Sequence, residues 1–458
     1  MKLQIALNSA RGRSESLTAE RLINLFAEKA PEGAESTSVT HGVPGLVTFA
    51  TCGFGPCRGF TSVADVMYVV SGASLYSVIE AGTATSLGTV PGTGLVSIRN
   101  NGDIIVIVTN PDAYTYTVST ATFAQITDVN YPGAHSVEWI NQTFFFANNT
   151  EHFIGAVGGL LPFDPLMAAS AESSPDDIVG LAKDHNEILI YGTGTLEAWQ
   201  YVQTTDATEY PFSAITGATG EKGLAGRYAI VQLDNTTVWL DQNGIVRRLT
   251  AGYVPTRIST EAIEHQLASA TLSEAEILVY IVEGHEFFAL NTNVGSYMYD
   301  ANTGLWHERQ SYGLERWKAQ RSIYLWGAWY VGNYIDGVIS RLDMDTNTEN
   351  SDYLIGTGIF PPIVFDRARF TVNEIELGCD MGIGSLTVSP IVTLKTSSDG
   401  VTWSNGAQRT MGKTGERDGR LVWRALGQWV KLNVRFDISD AYKRAVYAAY
   451  ASIEQNDR

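Results

Sequence analysis

The sequence feature that most constrains the fold is a short unit that recurs along most of the chain. Each unit consists of an apolar run, a turn rich in Gly, Asn or Asp, and a second apolar run, as in GSYMYDANTGLWHERQ at residues 295–310. Such turn residues tolerate positive φ, which tight hairpins require. Each unit therefore predicts a β-hairpin. Seven units are centred on Tyr68, Val106, Phe145, Leu189, Val238, Phe288 and Tyr330.

The spacing of these units predicts how the hairpins are arranged. Successive centres lie 38, 39, 44, 49, 50 and 42 residues apart. Strand-rich repeats of about 40 to 50 residues are typical of β-propeller blades, because a four-stranded blade buries both faces only by stacking on its neighbours. One unit can be divided where the ring closes, so six and seven blades both remain open. With 44 glycines and only 17% charged residues, we expect an all-β fold.

Length and pattern divide the chain into three parts. At 458 residues with 44% hydrophobic content, two or three domains are expected. We predict an N-terminal arm at 1–50, the β-propeller at 51–345, and a small C-terminal β-sandwich-like domain at 346–458. Period-two alternation predicts the strands of the last domain; it occurs at 370–377, 392–396 and 430–436.

Two segments near the domain boundaries do not predict a single regular element. In residues 18–28, Leu22, Leu25 and Phe26 have the spacing of one helical face, yet the same segment also fits an extended chain. Residues 343–350 are polar and contain no aromatic residue, which predicts a linker or an exposed loop.

The sequence has no sign of membrane insertion or of disulfide chemistry. No apolar run approaches the roughly 20 residues needed to span a bilayer, and the first 16 residues contain no signal-like apolar region, so we expect a soluble product made in the cytoplasm. The odd set Cys52, Cys57 and Cys379 has neither redox-pair nor zinc-site spacing, which favours buried or incidental thiols.

The net charge argues against a strong grip on phosphates. The chain carries 31 Lys and Arg against 49 Asp and Glu, a formal charge of −18. Such acidity maintains solubility in many proteins. It also suits a wall along which DNA passes without sticking.

Three loop motifs resemble ligand sites only in part. Asp343, Asp345 and Asn347 alternate as calcium-loop oxygens do, but Thr348 and Leu354 stand where an EF-hand needs Gly and Glu; an irregular cation site and a solvated loop remain open.

Glu261, Glu264 and His265 lack the first His of an HxxEH zinc motif, which favours a surface helix turn. The segment 217–223 has the wrong spacing for a phosphate loop and is interpreted as a flexible loop.

Two further motifs involve aromatic residues. The segment 397–403 approaches the Asp-box of sialidase-type propellers but is one residue short, which favours an ordinary Asp-Gly hairpin at Asp399-Gly400. Trp326, Trp329 and Tyr330 can stack on sugars or bases, but at propeller spacing core packing is favoured.

Isolated histidines and acidic residues do not define a site. The histidines show no close ligand spacing and favour packing or surface positions; they are His41, His135, His152, His185, His265, His285 and His307. Paired carboxylates for glycosidase chemistry cannot be selected from so many acidic residues. We therefore predict no catalytic, cofactor-binding or metal site, and no enzyme activity.

Short segments in a shared order resemble a known family. They lie at 23–28, 42–46, 55–59, 174–180, 195–199, 223–226, 259–263, 397–403 and 421–424. Each is weak alone, but their order along nearly the whole chain is similar to that of the packaged-DNA stabilisation proteins, or tail hub (nozzle) proteins, of short-tailed podovirus-type bacteriophages.

The resemblance implies a structural role. It implies a homo-oligomeric, hexameric subunit of the virion tail that is assembled in the host cytoplasm beneath the portal and adaptor (head-tail connector) ring. There it extends the DNA channel, meets tail needle, spike or fibre proteins, and retains packaged DNA without sequence-specific binding or a small-molecule substrate. Residues 1–50 depart most from the family, and we expect them to act as a docking arm that orders on assembly.

Two alternatives stay open at this point. The first is a carbohydrate-active or glycan-binding propeller of the sialidase type. The second is a generic interaction propeller.

Overall fold

The N-terminal segment supplies strands to both domains. The computed structural model describes residues 1–14, 17–156, 159–171, 174–204, 209–366 and 368–455. Its first strands are β1 (Lys2–Leu3), β2 (Arg21–Ile23), β3 (Leu25–Lys29), β4 (Ser38–Gly42) and β5 (Gly45–Thr51). Of these, β1 to β4 pair with C-terminal strands or lie in the same sheets as them, and β5 belongs to the propeller.

Five four-stranded antiparallel sheets follow in sequence, each a propeller blade. Blade one contains β6 (Cys57–Val63), β7 (Val66–Ser71), β8 (Ser74–Val78) and β9 (Ala84–Thr89). Blade two contains β10 (Ser97–Asn100), β11 (Ile104–Val108), β12 (Ala113–Thr117) and β13 (Thr122–Gln125). Blade three contains β14 (Ser136–Ile140), β15 (Thr143–Ala147), β16 (His152–Ile154) and β17 (Ala168–Ala169).

Blade four contains β18 (Ile178–Asp184), β19 (Glu187–Gly192), β20 (Leu196–Tyr201) and β21 (Phe212–Gly220). Blade five contains β22 (Ile230–Leu233), β23 (Thr236–Leu240), β24 (Val246–Thr250) and β25 (Val254–Arg257). The helix α1 (Glu261–Leu267) and a 3₁₀ turn (Leu272–Glu274) lead to the next blade.

Blade six is built from its own repeat, whereas blade seven takes a strand from outside its repeat. Blade six contains β26 (Glu276–Val282), β27 (His285–Thr292), β28 (Gly295–Asp300) and β29 (Trp306–Arg309). Blade seven contains β30 (Ala319–Leu325), β31 (Ala328–Asn333) and β32 (Val338–Asp343). Its outer strand is β5, with Arg341 opposite Val47.

The seven blades form a closed ring. The first strands β6, β10, β14, β18, β22, β26 and β30 contact one another in this order, and β30 contacts β6. The ring is therefore sealed by an N-terminal strand in a C-terminal blade, which leaves no open sheet at the junction. This resolves the blade number to seven, and the predicted hairpin at 295–310 is the β28–β29 pair of blade six.

The C-terminal strands build a β-sandwich. They are β35 (Gly356–Ile359), β36 (Ile363–Val364), β37 (Phe370–Cys379), β38 (Ile391–Ser397), β39 (Ala407–Thr410), β40 (Leu421–Trp429), β41 (Lys431–Ile438) and β42 (Ala445–Gln455). The two short strands that precede them, β33 (Thr348–Glu349) and β34 (Asp352–Tyr353), instead extend the sheet of blade seven beyond β5. One sheet has the order β3-β4-β42-β37-β40, with β1 on β42. The other has the order β2-β35-β41-β38-β39, with β36 on β41.

One strand joins the two domains. β2 pairs in parallel with β29 of blade six, where Ile23 lies opposite Glu308, and antiparallel with β35 of the sandwich. The sheet of blade six thus continues into a sheet of the sandwich.

One prediction for the N-terminal region is wrong, and one open alternative is decided. Residues 1–50 are not a separate arm, because Leu22 and Leu25 are fully buried in the sandwich core with Ile375, Trp423 and Phe436. Of the two interpretations of residues 18–28, the structure shows the extended chain, as β2 and β3.

The predicted polar linker at 343–350 is only partly exposed. Its Glu349 lies in β33, beside Leu46 of β5, and is fully buried. A polar sequence with an acidic residue indicated exposure, but a cationic partner far away in the sequence neutralises this carboxylate.

Candidate functional site: the domain junction and the propeller channel

Asn24 fastens the sandwich to the propeller. It separates β2 from β3 and has φ of 55°, in the left-handed region that Asn tolerates better than most residues. Its Nδ2 donates to the carbonyl of Gln310 and to that of Ile355, each at 2.9 Å, and its Oδ1 accepts from the amide of Gln310 at 3.0 Å. One side chain thus bonds the end of blade six and the start of the sandwich.

A buried ion pair lies behind this contact. Arg309 and Glu349 both have side chains that are 0% exposed, with 3.4 Å between Nη2 and Oε1. The same Nη2 donates to the carbonyl of Pro44 at 2.5 Å, and the guanidinium carbon lies 3.8 Å from the ring centroid of Trp317. The indole of Trp317 donates to Glu349 at 2.9 Å, and the hydroxyl of Ser311 donates to its other oxygen. Strands from three parts of the chain therefore meet at one charged pair.

An aromatic cluster covers the same junction. The ring of Phe26, from β3, lies 5.3 Å from His285 and 6.4 Å from His307 between centroids. His285 Nδ1 is 2.8 Å from Asp300 Oδ2. Burial lowers the pKa of His307 to about 3, and the cation of Arg309 adds to the effect. His307 is therefore neutral at this contact at neutral pH.

The first strands of all seven blades line a central cavity of about 570 Å³. Arg99 of β10 binds Glu138 of β14 with two hydrogen bonds, at 2.7 and 2.5 Å. Glu138 raises the pKa of Arg99, because the pair stabilises the charged form. Across the cavity, Arg321 lies over the ring of Tyr228, 4.6 Å from its centroid. The channel is thus lined by fixed charges as well as by apolar strand residues.

The loop at 343–347 forms hydrogen-bonded turns. Asp343 accepts from the amide of Asp345 at 2.9 Å and from Arg341 at 3.0 Å, and Asn347 donates to the carbonyl of Asp345 at 3.5 Å. Within the described ranges, no cluster of three His, Cys, Asp or Glu side chains is arranged to hold a metal ion. The structure thus places these oxygens in local turns.

The Glu261–His265 motif lies on α1, as a surface helix turn was predicted to do. Thr260 caps the helix by accepting from the amide of Ile263 at 3.4 Å. Glu264 accepts from Arg257 at 2.7 and 2.9 Å, so its carboxylate has a local partner.

The prediction of a flexible loop at 217–223 is wrong for its first half. Gly217 to Gly220 continue β21, the outer strand of blade four, where Gly220 lies opposite Leu196. The glycines hid a strand because they remove the side-chain alternation by which a strand is recognised.

The structure shows the predicted Asp-Gly hairpin only in part: Asp399 and Gly400 lie in the nine-residue connection 398–406 between β38 and β39 of the sandwich, and not in a two-residue hairpin turn. Asp399 Oδ1 accepts from the amides of Val401 and Thr402 at 2.9 and 2.8 Å, and from the hydroxyl of Ser397 at 2.8 Å. The two backbone hydrogen bonds and that from Ser397 lower the pKa of Asp399 to about 2. This turn therefore stabilises a hairpin and is not part of a propeller blade.

The aromatic residues at 326–330 pack mainly within the protein. Tyr330 is 5% exposed, and its ring lies 4.7 Å from that of Phe49. Trp326 occupies the β30–β31 turn and donates to the carbonyl of Asp65 at 3.1 Å. Trp329 is half-buried. Core packing, the favoured interpretation, is what the structure shows for Tyr330.

The cysteines and histidines are mostly structural. Cys52, Cys57 and Cys379 are free and buried, and burial raises the pKa of each thiol to about 12. Three histidines are fully buried, whereas His185 and His265 are exposed; the buried ones are His135, His152 and His307.

Sequence reasoning missed the residues that matter most at the junction and in the channel. Arg309, Glu349 and Asn24 occur in unrelated segments with no shared motif. Arg99 and Arg321 each occupy the first strand of a different blade. A signal exists only for the channel: once the blade period is known, the first strand of each blade, which precedes the apolar run, is the strand that lines the cavity.

Comparisons with known proteins agree with a propeller and a sandwich. No helix in the described parts of the chain has the length and apolarity needed to cross a membrane. The solved structures that this chain is similar to are distant from it. The extracellular domain of the hybrid two-component system BT4673 from B. thetaiotaomicron is 9% identical with a TM-score of 0.46, over 65% of this chain and 39% of that one.

Two further structures match over nearly their whole length. The computationally designed Ika8 protein is 12% identical with a TM-score of 0.39, over 71% of this chain and 99% of that one. The N-terminal domain of Nup159 is 8% identical with a TM-score of 0.40, over 69% and 98%. This chain spans about two fifths of the BT4673 domain. No curated protein sequence matches.

The family models decide the assignment. The model for the β-propeller of bacteriophage P22 Gp10 matches residues 3–347, and the model for the β-sandwich of P22 Gp10 matches residues 359–454. The propeller match includes β1 to β5, in agreement with the strand that closes the ring. The resemblance seen in the sequence is thereby confirmed, and the chain belongs to the bacteriophage P22 Gp10 family of structural phage tail proteins.

Proposed function

We propose that this chain is a tail hub, or nozzle, subunit that extends the DNA channel below the portal and adaptor and retains packaged DNA in the head. The observation that carries the proposal is the family match over both domains, residues 3–347 and 359–454. In this role the chain assembles in the host cytoplasm as a ring, a hexamer by the family resemblance. The ring contacts the portal-adaptor ring above and needle, spike or fibre proteins below, and has no enzyme activity.

The architecture supports a mechanical role. A closed ring of blades has no unsealed sheet edge at its junction, so it resists opening. The continuous sheet through β2 holds the sandwich against blade six, and the buried pair of Arg309 and Glu349 joins blade six to the sheet of blade seven. A subunit that is rigid across both domains suits a channel that contains DNA under pressure.

The charge supports a channel that does not grip DNA. Six copies, each with a formal charge of −18, together carry a formal charge of −108 (6 × −18). Binding to DNA depends on cations that neutralise phosphates and release counterions. An acidic ring therefore lets DNA slide, and we expect no sequence-specific contacts.

The strands of the N-terminal segment are already paired within the chain, so we propose that contact with the adaptor uses surfaces of the folded domains. Removal of residues 1–40 would unfold part of the sandwich, and loss of binding by such a variant would say nothing about docking.

The assembly experiment mixes the purified full-length chain with portal and adaptor rings and images the products by negative stain. We expect a ring of subunits below the adaptor. Portal without adaptor is the control. A chain that stays monomeric beside intact portal-adaptor rings would overturn the hub proposal.

The retention experiment compares phage particles made with and without the chain. We expect particles without it to lose DNA, which nuclease sensitivity of the packaged genome measures. Equal protection in the two preparations would contradict the retention role while leaving the tail assignment intact.

A carbohydrate-active propeller is the alternative, and it is not favoured. In the channel, the carboxylate of Glu138 is held by Arg99 through both oxygens, so it is not available as one of two free acids. The Asp-Gly turn lies outside the blades. Turnover of a sialoside by the purified chain would support this alternative.

A further inference from the structure

The propeller channel differs in charge from the rest of the chain. The side chains that line it include four cations, Arg99, Lys183, Arg227 and Arg321, and one anion, Glu138. The whole chain has a formal charge of −18. The electrostatic potential in this cavity is therefore positive, although the protein as a whole is acidic. The potential is strong because the low-dielectric walls of a cavity screen charges less than water does.

Three of these cations have no carboxylate partner. Glu138 is paired with Arg99. Among the ion pairs of the described residues, none includes Lys183, Arg227 or Arg321. Burial lowers the pKa of Arg321, the carboxylate of Glu276 opposes this shift, and the neighbouring cation of Arg99 adds to it. The channel thus holds cations that have no ion-pair partner within the described ranges, although Glu276 lies near enough to act on Arg321.

Two buried donors have no acceptor. Arg227 Nε and Arg321 Nη2 are shielded from solvent and lack a hydrogen-bond partner in the described part of the chain. Buried donors are rarely left unsatisfied in folded proteins. Both residues flank Tyr228, because Arg321 stacks on its ring and Arg227 precedes it in sequence. The hydroxyl of Tyr228 donates to the carbonyl of Leu95 at 2.8 Å and also interacts with the side chain of Arg227 through a hydrogen bond. Within the guanidinium of Arg227, Nε is the buried atom that remains without an acceptor.

One carboxylate, that of Glu276, lies near Arg321. Glu276 is fully buried, and its Oε1 is bound by Arg316 and by Asn291. Its Oε2 has no partner among the described residues. A side-chain rotation that joins Glu276 to Arg321 would satisfy one donor of Arg321, but it would leave Arg227 and Lys183 unneutralised.

We propose that the propeller channel is a binding site for a small phosphate-type oxyanion, held by Arg227 and Arg321 with Lys183 in the outer part of the cavity. Guanidinium groups present paired donors that match the oxygens of phosphate. The cavity of about 570 Å³ has room for inorganic phosphate and for a nucleoside monophosphate. Both ligands would be recognised through their phosphate group, and a binding experiment distinguishes one from the other.

The experiment is isothermal titration calorimetry of the full-length chain with inorganic phosphate at constant ionic strength, with chloride as the reference anion. We expect saturable binding at one site per chain. Adenosine monophosphate is titrated in parallel. Tighter binding than phosphate indicates a nucleotide ligand, and equal or weaker binding indicates the free anion; either result supports the site.

Variants test the residues. Arg321→Gln and Arg227→Gln are each expected to weaken phosphate binding by about tenfold or more, because each removes a charge-assisted hydrogen bond. The matched control is Arg341→Gln, which removes an arginine that is 46% exposed and paired with Asp343 outside the channel. It is expected to bind as the unchanged chain does.

Three results would overturn the proposal. They are the absence of saturable binding to the unchanged chain, undiminished binding by the Arg227→Gln, Arg321→Gln double variant, and equal weakening by Arg341→Gln. Circular dichroism of each variant shows whether it is folded. If Arg321→Gln does not fold, Arg227→Gln and the titration of the unchanged chain decide.

Discussion

Arg309 and Glu349 form an ion pair in which both side chains are 0% exposed, although 40 residues separate them in sequence. Arg309 ends the last strand of blade six, and Glu349 follows the last strand of blade seven. Removing two charges from water is expensive, so such a pair persists only where further hydrogen bonds support it. Trp317 and Ser311 supply those hydrogen bonds to Glu349.

Replacing Glu349 with Ala is expected to lower the free energy of unfolding by about 3 to 5 kcal/mol, because Arg309 is then buried without a counter-charge. Chemical denaturation followed by tryptophan fluorescence measures this, since Trp317 contacts both residues. The matched control is Asp380→Ala. Its carboxylate is 40% exposed and pairs with Lys443, which is 68% exposed, so the change is expected to cost less than about 1 kcal/mol. Equal effects of the two substitutions would contradict a special role for the buried pair.

The blades could be predicted from sequence because their signal is local. The seven apolar centres, from Tyr68 to Tyr330, all fall in the second strand of a blade, in β7, β11, β15, β19, β23, β27 and β31. That strand is buried on both faces between neighbouring blades, so it appears as a continuous apolar run. The turn that follows it supplies the second half of the pattern.

The ring closure and the junction could not be predicted because they depend on pairing between distant segments. Nothing within residues 45–51 indicates that they pair with 338–343. Glu349 lies in a polar run, and only its distant partner Arg309 explains its burial. For the same reason the four cations of the channel, which belong to four different blades, have no common motif.

Stability is expected to fall as the pH is lowered below about 6.5. Burial lowers the pKa of His152 and of His307 to about 3, and that of His135 to about 4. In the unfolded chain these histidines bind a proton near pH 6.5, whereas in the folded chain they stay neutral to a much lower pH. The contribution of each neutral histidine to the free energy of unfolding is therefore complete above pH 6.5 and is lost progressively below it. Each of these histidines lowers the free energy of unfolding by about 2 kcal/mol as the pH falls from 6.5 to 5.

The measurement is the free energy of unfolding at pH 7 and pH 5 for the unchanged chain and for His307→Phe. The variant is expected to lose less stability over this interval than the unchanged chain, by about 2 kcal/mol. His265→Asn, at an exposed position on α1, serves as the control and should keep the original dependence. An identical pH dependence in His307→Phe would rule out titration of His307 as a cause.

Replacing Asn24 with Ala is expected to loosen the contact between the domains. The substitution removes three hydrogen bonds, to Gln310 and Ile355, and places Ala at φ of 55°. Together these effects cost about 3 kcal/mol. Asn24→Gly removes the same hydrogen bonds without the backbone strain, so it is expected to be less harmful. Hydrogen exchange of the amides in β2 and β35 measures the loosening, and unchanged protection in Asn24→Ala would contradict it.

Gly332 is expected to be intolerant of a side chain where the ring closes. A Cβ at this buried position of β31 would lie 2.3 Å from the Cβ of Cys57 and 2.9 Å from the ring of Phe60, both on β6 of blade one. Gly332→Ala therefore forces blades seven and one apart, at a cost of about 1 to 3 kcal/mol. Gly94→Ala meets nothing within 4 Å at an exposed position and is expected to be neutral or stabilising by about 0.4 to 1 kcal/mol, since it restricts the unfolded chain. Thermal unfolding of both variants measures the difference. A shift of the same sign and size in the two would show that blade seven and blade one do not pack as closely as the structure places them.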